Sequence, residues 1–216
     1  MRLRALAPAV WIVDDDADAR EEFARAAAAC AAEPLAFADG SAWRRGFDPH
    51  RAGCVLVDGH LRAPSAAELL KDFHACGCRS PVIVAIARPD VAAAVALMRA
   101  GAFDVFVKPI APDDLTSIIA AALASDGARR AAVQADEDMR LRLADLTRRE
   151  REVVGLVVSG LTSRSIAARL HICERTVEIY RSRIKKKLHT RNAADLVRRV
   201  NLARGEVLPQ PGNGAG

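Results

Sequence analysis

The chain has 216 residues, room for one large or two small domains, and 51% of them are hydrophobic by count. Alanine supplies much of that share, and no apolar run approaches the roughly 18 residues that a membrane helix needs, so no membrane partner is expected. Charge divides the chain: residues 1–126 hold 13 Lys+Arg against 17 Asp+Glu, net −4, and residues 127–216 hold 19 against 10, net +9. An acidic part joined to a basic part predicts two domains with different partners, the second being nucleic acid.

The opening MRLRALAPAVWIVDDD has two arginines and a short apolar patch, but acidic residues follow at once and no cleavage pattern is present. It reads as the lead into a strand. The five cysteines, Cys30, Cys54, Cys76, Cys78 and Cys173, are scattered and odd in number, which points to reduced thiols and a cytoplasmic protein. Cys76-Gly77-Cys78 is a lone C-x-C without partners at metal-binding spacing.

Val10–Val13 is a short strand without alternation, as in a parallel sheet, and Asp14-Asp15-Asp16 ends it. Ala17–Ala31 is helical with Phe23 facing in. Leu35–Phe37 is a second strand, closed by Asp39-Gly40, and a weak helix follows around Ser41–Arg45. Cys54–Val57 is a third strand ending at Asp58. Ser65–Cys76 is helical, with Leu69, Leu70 and Phe73 inward. Val82–Ile86 is a fourth strand, Val91–Ala100 an Ala-rich helix, and Val105–Val107 a fifth strand followed by Lys108-Pro109. Pro112–Ala124 is a fifth helix with Leu115, Ile118, Ile119 and Leu123 apolar. Five strands alternating with five helices predict an α/β doubly wound, flavodoxin-like domain with a five-stranded parallel sheet over residues 8–124.

Ligands of such sheets sit beyond the carboxyl ends of the strands. Asp14 and Asp15 follow the first strand, Asp58 the third and Lys108 the fifth. Three converging carboxylates repel one another unless a cation joins them, and a hard divalent ion such as Mg²⁺ suits oxygen ligands. Lys108 opposite them could steady a phosphoryl group. Asp16 or Asp18 is the candidate cap of the following helix.

Residues 125–145, Ala-rich and charged, read as a linker, largely helical after Gly127. Residues 146–204 read as an all-α four-helix domain. Thr147 with Glu150 three residues on is a capping box, opening a helix that carries Val153, Val154, Leu156, Val157 and Val158 and ends at Gly160. Thr162 caps a short helix with Ile166, Ala167 and Leu170 inward. His171-Ile172-Cys173 is a tight turn into Glu174–Leu188, ERTVEIYRSRIKKKL, and Asn192–Ala203 is a fourth helix. The basic helix buries Val177, Ile184 and Leu188, with Tyr180 beside them, and turns cations elsewhere. A short helix, a tight turn and a basic helix make a helix-turn-helix. The Gly- and Pro-rich residues 205–216 read as a disordered tail.

Val10–Leu123 resembles the receiver domain of two-component response regulators, through VWIVDDDADAR, CVLVDGHLRAPSAAELL, SPVIVAIARPDVAAAVALMRAGAFDVFVKPI and the final helix. The resemblance implies that Asp58 accepts a phosphoryl group from a sensor histidine kinase, that Asp14, Asp15 and Asp58 bind Mg²⁺, and that Lys108 contacts the phosphate. It also implies a cis Lys108-Pro109 bond. Ile86 stands where receivers usually carry Ser or Thr. Val105 stands where Tyr or Phe is usual, with Phe106 one place off. Arg62 replaces the usual Pro, with Ala63 next to it. These departures leave open an alternative, an atypical receiver whose DNA binding is controlled independently of phosphorylation.

Leu146 to about Val200 resembles the LuxR/GerE-type DNA-binding domain of FixJ-type response regulators. That resemblance implies that Glu174–Leu188 is the recognition helix, with Glu178, Ile179 and Ser182 toward bases. Arg164, Thr176, Arg181, Arg183, Lys185 and Lys186 would meet phosphates. Cys173 replaces a usual Ser cap and His171 a usual Gly. The expected function is a transcriptional response regulator rather than an enzyme. It binds double-stranded DNA, most naturally as a homodimer formed around the fourth helix and fifth strand, with RNA polymerase a candidate further partner. A phosphohydrolase using Asp14 or Asp16 as nucleophile is the enzymatic rival, and the attached DNA-binding half speaks against it.

Overall fold

The computed structural model describes residues 6–61, 65–75 and 78–204. Arg62 and Ala63, Cys76 with Gly77, and the expected tail at 205–216 lie outside them. Two compact units divide the chain between Arg130 and Ala131.

The first unit alternates strands and helices: β1 (Ala9–Val13), α1 (Ala17–Ala29), β2 (Glu33–Phe37), α2 (Gly40–Gly46), β3 (Gly53–Asp58), α3 (Ala66–Ala75), β4 (Val82–Ile86), α4 (Val91–Arg99) and β5 (Asp104–Val107). The five strands are parallel in the order β2-β1-β3-β4-β5. Period-two side-chain alternation splits the core. Trp11, Val13, Val55, Val57, Val84 and Ile86 pack with Trp43, Leu69, Leu70 and Phe73 on the α2–α3 face. Val10, Ile12, Leu56, Ile83 and Phe106 pack with Phe23, Ala27, Leu115 and Ile119 on the opposite face. Both faces are covered, which is why these strands read as unbroken apolar runs. Phe106 meets Phe23 edge-on at 6.0 Å. It therefore lies on the wrong side of the sheet to take the place of an aromatic at Val105.

Helix starts follow the capping residues. Asp16 caps α1, Asp39 caps α2 and Asp90 caps α4, each accepting a backbone N–H from the first turn. α1 stops two residues before the expected Ala31, which sits at φ 55.

The fifth helix corrects an expectation. α5 runs without a break from Pro112 to Ala144, 33 residues, so the helix does not stop at the anticipated Ala124, while the residues after Gly127 are helical as expected. Gly127 does not interrupt it, because the residues around it are bolted down. The Asp126 carboxylate is buried (1% exposed), accepts the Gly53 N–H at 3.0 Å and pairs with Arg129 and Arg130. Arg130 then donates to the carbonyls of Pro49, His50 and Arg51. Charge-assisted bonds of this kind outweigh the roughly 1 kcal/mol that a helical glycine costs. Gly53, at φ 155, has no room for a side chain: a Cβ there would lie 1.9 Å from the Ala9 carbonyl oxygen.

The second unit is helical: the end of α5, then α6 (Arg148–Val158), α7 (Ser163–Leu170), α8 (Glu174–Leu188) and α9 (Ala193–Arg204). Met139 is buried and Leu143 packs beside it, whereas Val133 and Leu141 are exposed. Ile166, Val177, Ile184, Leu188 and Val200 are each no more than 1% exposed and hold α7, α8 and α9 on Val153 and Val154 of α6.

Candidate functional site

The carboxyl end of the sheet brings the strand-end residues together. Asp14 leaves β1 and is fully buried. Its Oδ1 accepts the Asp16 N–H at 2.9 Å, and its carbonyl accepts from Arg20 Nη1 at 2.8 Å. Asp58 closes β3, is 5% exposed, and accepts the His60 N–H on Oδ2 at 3.1 Å. Lys108 directly follows β5, and its bond to Pro109 is cis. Its Nζ lies 2.6 Å from Asp14 Oδ2 and 3.0 Å from Asp58 Oδ1, with the Phe23 ring 5.5 Å away. Burial alone would lower the Lys108 pKa, but hydrogen bonds and attraction from Asp14 and Asp58 raise it above the ordinary value, so the ammonium stays charged. Asp15 is exposed, and carboxylate oxygens of Asp14, Asp15 and Asp58 all lie within 4.8 Å of one another. A clustered, oxygen-only donor set open to water on one side fits a hard divalent ion that retains part of its hydration shell.

Two neighbours shape this pocket. Gly59 follows Asp58, and a Cβ there would lie 3.0 Å from both the Ala85 carbonyl oxygen and Ile86 Cγ2. The close approach was not foreseen, although an Asp-Gly step at a strand end is its signal. Ile86 is 6% exposed and packs in the α2–α3 core, presenting methyl groups and no hydroxyl. Val105 is half-buried and lines a shallow groove with Val95, Met98 and Arg99 of α4. Val91, Val95, Met98 and Val107 leave that α4–β5 face exposed and apolar.

In the second unit the Thr147 capping box is formed, and Thr162 accepts the Ser165 N–H. Cys173 makes no side-chain cap to α8; its Sγ lies 3.0 Å from Thr176 Oγ1. His171 ends α7 at φ 54. Away from the buried seam of α8, Glu178, Ile179, Ser182, Arg183, Lys185 and Lys186 are exposed, as is Arg164 on α7, while Thr176 and Arg181 are half-buried. Arg181, Ser182 and Lys185 line an open groove of about 330 Å³ with Glu178, Arg191 and Asn192.

Three polar contacts on these helices escaped the sequence reading. Lys187 leaves the cationic face and donates to Glu150 Oε2 at 2.7 Å. Arg149 caps α7 through the Leu170 carbonyl at 2.7 Å. The Ser163 hydroxyl donates to Glu178 Oε1.

Comparison with known proteins accounts for both units. Residues 10–120 match the family described as response regulator receiver domain, and residues 144–200 match bacterial regulatory proteins, luxR family. The chain is 36% identical over 198 residues to the transcriptional regulatory protein FixJ of Azorhizobium caulinodans, covering 90% of this chain and 92% of that one. It is 36% identical to the C4-dicarboxylate transport transcriptional regulatory protein DctR of Rhodobacter capsulatus, covering 88% and 97%. Among solved structures, the response regulator StyR aligns with TM-score 0.74 at 30% identity over 91% of this chain and 99% of that one. Full-length FixJ from B. japonicum aligns with TM-score 0.57 at 28% identity, covering 94% and 100%.

Proposed function

Because the chain belongs to the two-component response regulators that join a receiver domain to a LuxR-type DNA-binding domain, we propose that Asp58 is its phosphoacceptor and α8 its recognition helix. The observation that carries this is Lys108 Nζ bridging Asp14 and Asp58 at 2.6 and 3.0 Å beside the exposed Asp15. An Asp58 carboxylate oxygen attacks the phosphorus carried by a sensor histidine kinase, and the bond from phosphorus to the kinase's histidine nitrogen breaks. Lys108 holds the Asp58 carboxylate in place and offers its charge to the arriving phosphoryl oxygens. Asp14, Asp15 and Asp58 would hold Mg²⁺, which when bound screens the repulsion between the carboxylates and the phosphoryl group.

The role is regulatory rather than enzymatic. The exposed apolar α4–β5 face supports a homodimer, which sets two α8 helices on two half-sites of double-stranded DNA; RNA polymerase is the downstream partner. Among the described residues no helix is long and apolar enough to cross a membrane, in keeping with a cytoplasmic site of action. Relatives matched over 88–90% of the chain are named as transcriptional regulators, and the Asp14–Asp58–Lys108 cluster favours this reading over phosphorylation-independent control.

Incubation with Mg²⁺ and a small phosphodonor, followed by sedimentation and DNA titration, tests it. The wild type should dimerise and bind DNA more tightly, and Asp58→Ala should do neither. Equal behaviour of the two would defeat the phosphate switch. The slope of log affinity against log salt is about −0.9 per phosphate contacted. Lys185→Ala and Lys186→Ala should each flatten it by roughly one contact, and an unchanged slope removes that lysine from the interface.

A further inference from the structure

Glu178 is an exposed carboxylate on α8, and one of its oxygens is engaged by the neighbouring helix. Ser163, the first residue of α7, donates its hydroxyl to Glu178 Oε1. The tie is not needed to hold α7 on α8, because Ile166 of α7 and Val177 of α8 are fully buried in the shared core of the helical unit. Its effect is on direction. An exposed glutamate loses much of its reading precision to rotamer freedom, whereas a carboxylate with one oxygen engaged on a neighbouring helix presents the other oxygen along one line.

A carboxylate can only accept hydrogen bonds. In the major groove guanine N7 and O6 and thymine O4 are acceptors and repel it. Adenine sets the N7 acceptor beside its amine, while cytosine offers the N4 amine. Ser182, one turn further along the same exposed face, carries a hydroxyl that both donates and accepts, and so adds no conflicting demand.

We propose that Ser163 is a positioning residue for base readout: it orients Glu178 so that the free oxygen selects a cytosine in each half-site. The inference rests on the reading of α8 as the recognition helix. The test is selection from a randomised duplex library, with sequencing, by the full-length wild type and by Ser163→Ala, Ser163→Thr and Glu178→Gln. The wild-type motif should contain a cytosine column that Glu178→Gln flattens or moves toward adenine. Ser163→Ala should weaken that one column by roughly 3- to 10-fold and leave the other columns and the salt slope alone. Ser163→Thr, which keeps the hydroxyl, should retain it. A Ser163→Ala motif identical to the wild type, or one weakened equally in every column, overturns the proposal. A motif that Glu178→Gln leaves unaltered also overturns it while the DNA-binding reading stands. A wild type that binds no duplex at low salt sinks both.

Discussion

Glu150 is only 3% exposed, yet it remains ionised because its partners converge on it. Oε2 accepts the Thr147 N–H at 2.9 Å and the Lys187 ammonium at 2.7 Å. Burial pushes its pKa up, but Lys187 and Thr147 outweigh burial and hold it below the ordinary glutamate value of 4.5. A carboxyl whose pKa is depressed by folding stabilises the fold above its unfolded pKa and loses that contribution as pH falls through the folded value. Glu150→Gln should therefore destabilise the helical unit by about 1 kcal/mol at pH 7, the modest figure reflecting a half-exposed Lys187. The difference should shrink below pH 4.5 and vanish once both proteins carry a neutral side chain there. Denaturant melts at pH 7 and pH 3 measure it, and a difference that ignores pH rules out the charge pair as its cause. Lys187 looked like one more cation in RIKKKL, because a run of like residues carries no mark of which one turns inward. Asp14, Asp58 and Lys108 were legible for the opposite reason: each stands where an apolar run stops, and a parallel sheet gathers such stops at one end.

At the scale of the element, α8 starts poorly. Its N-cap Cys173 has the extended backbone of a cap (φ −76, ψ 153) but accepts no N–H through its side chain. α7 finishes on His171 at φ 54, a left-handed position that glycine occupies at lower cost. Cys173→Ser supplies the missing acceptor and should stabilise the helical unit by about 0.5–1 kcal/mol, or roughly 2–6 °C in melting temperature. An unchanged or lower midpoint would show that the Cys173–Thr176 contact already does the work of the cap. Both departures were plain in the sequence, since capping depends on residue type at fixed offsets. The helix after Gly127 was legible too, but its unbroken passage from Ala124 through Gly127 was not. Local rules treat Gly127 as a weak point, and what holds the helix there is a carboxylate whose backbone partner, Gly53, lies 73 residues away.

For the whole molecule, the number of strands and their parallel sense could be read from short apolar runs alternating with helices, and the helical half from its capping box and the spacing of its buried residues; the strand order β2-β1-β3-β4-β5 came from the structure. Side-chain ties between elements could not. Ser163 with Glu178, and Asp126 with Gly53, pair residues whose types are ordinary at their own positions, and only the fold brings them together. Charge divides the chain into an acidic part up to 126 and a basic part after it, and the two compact units divide after Arg130.

The clamp around Asp126 has a practical consequence for truncation. A receiver fragment stopped at Ala124 would strip the partners from the Gly53 amide and from three loop carbonyls next to the first residue of β3. It should melt roughly 5–10 °C below one stopped after Arg130 and be the less soluble of the two. Coincident melting curves would mean that water replaces those partners without penalty. Otherwise, six residues that look like spacer decide whether the sheet can be studied alone.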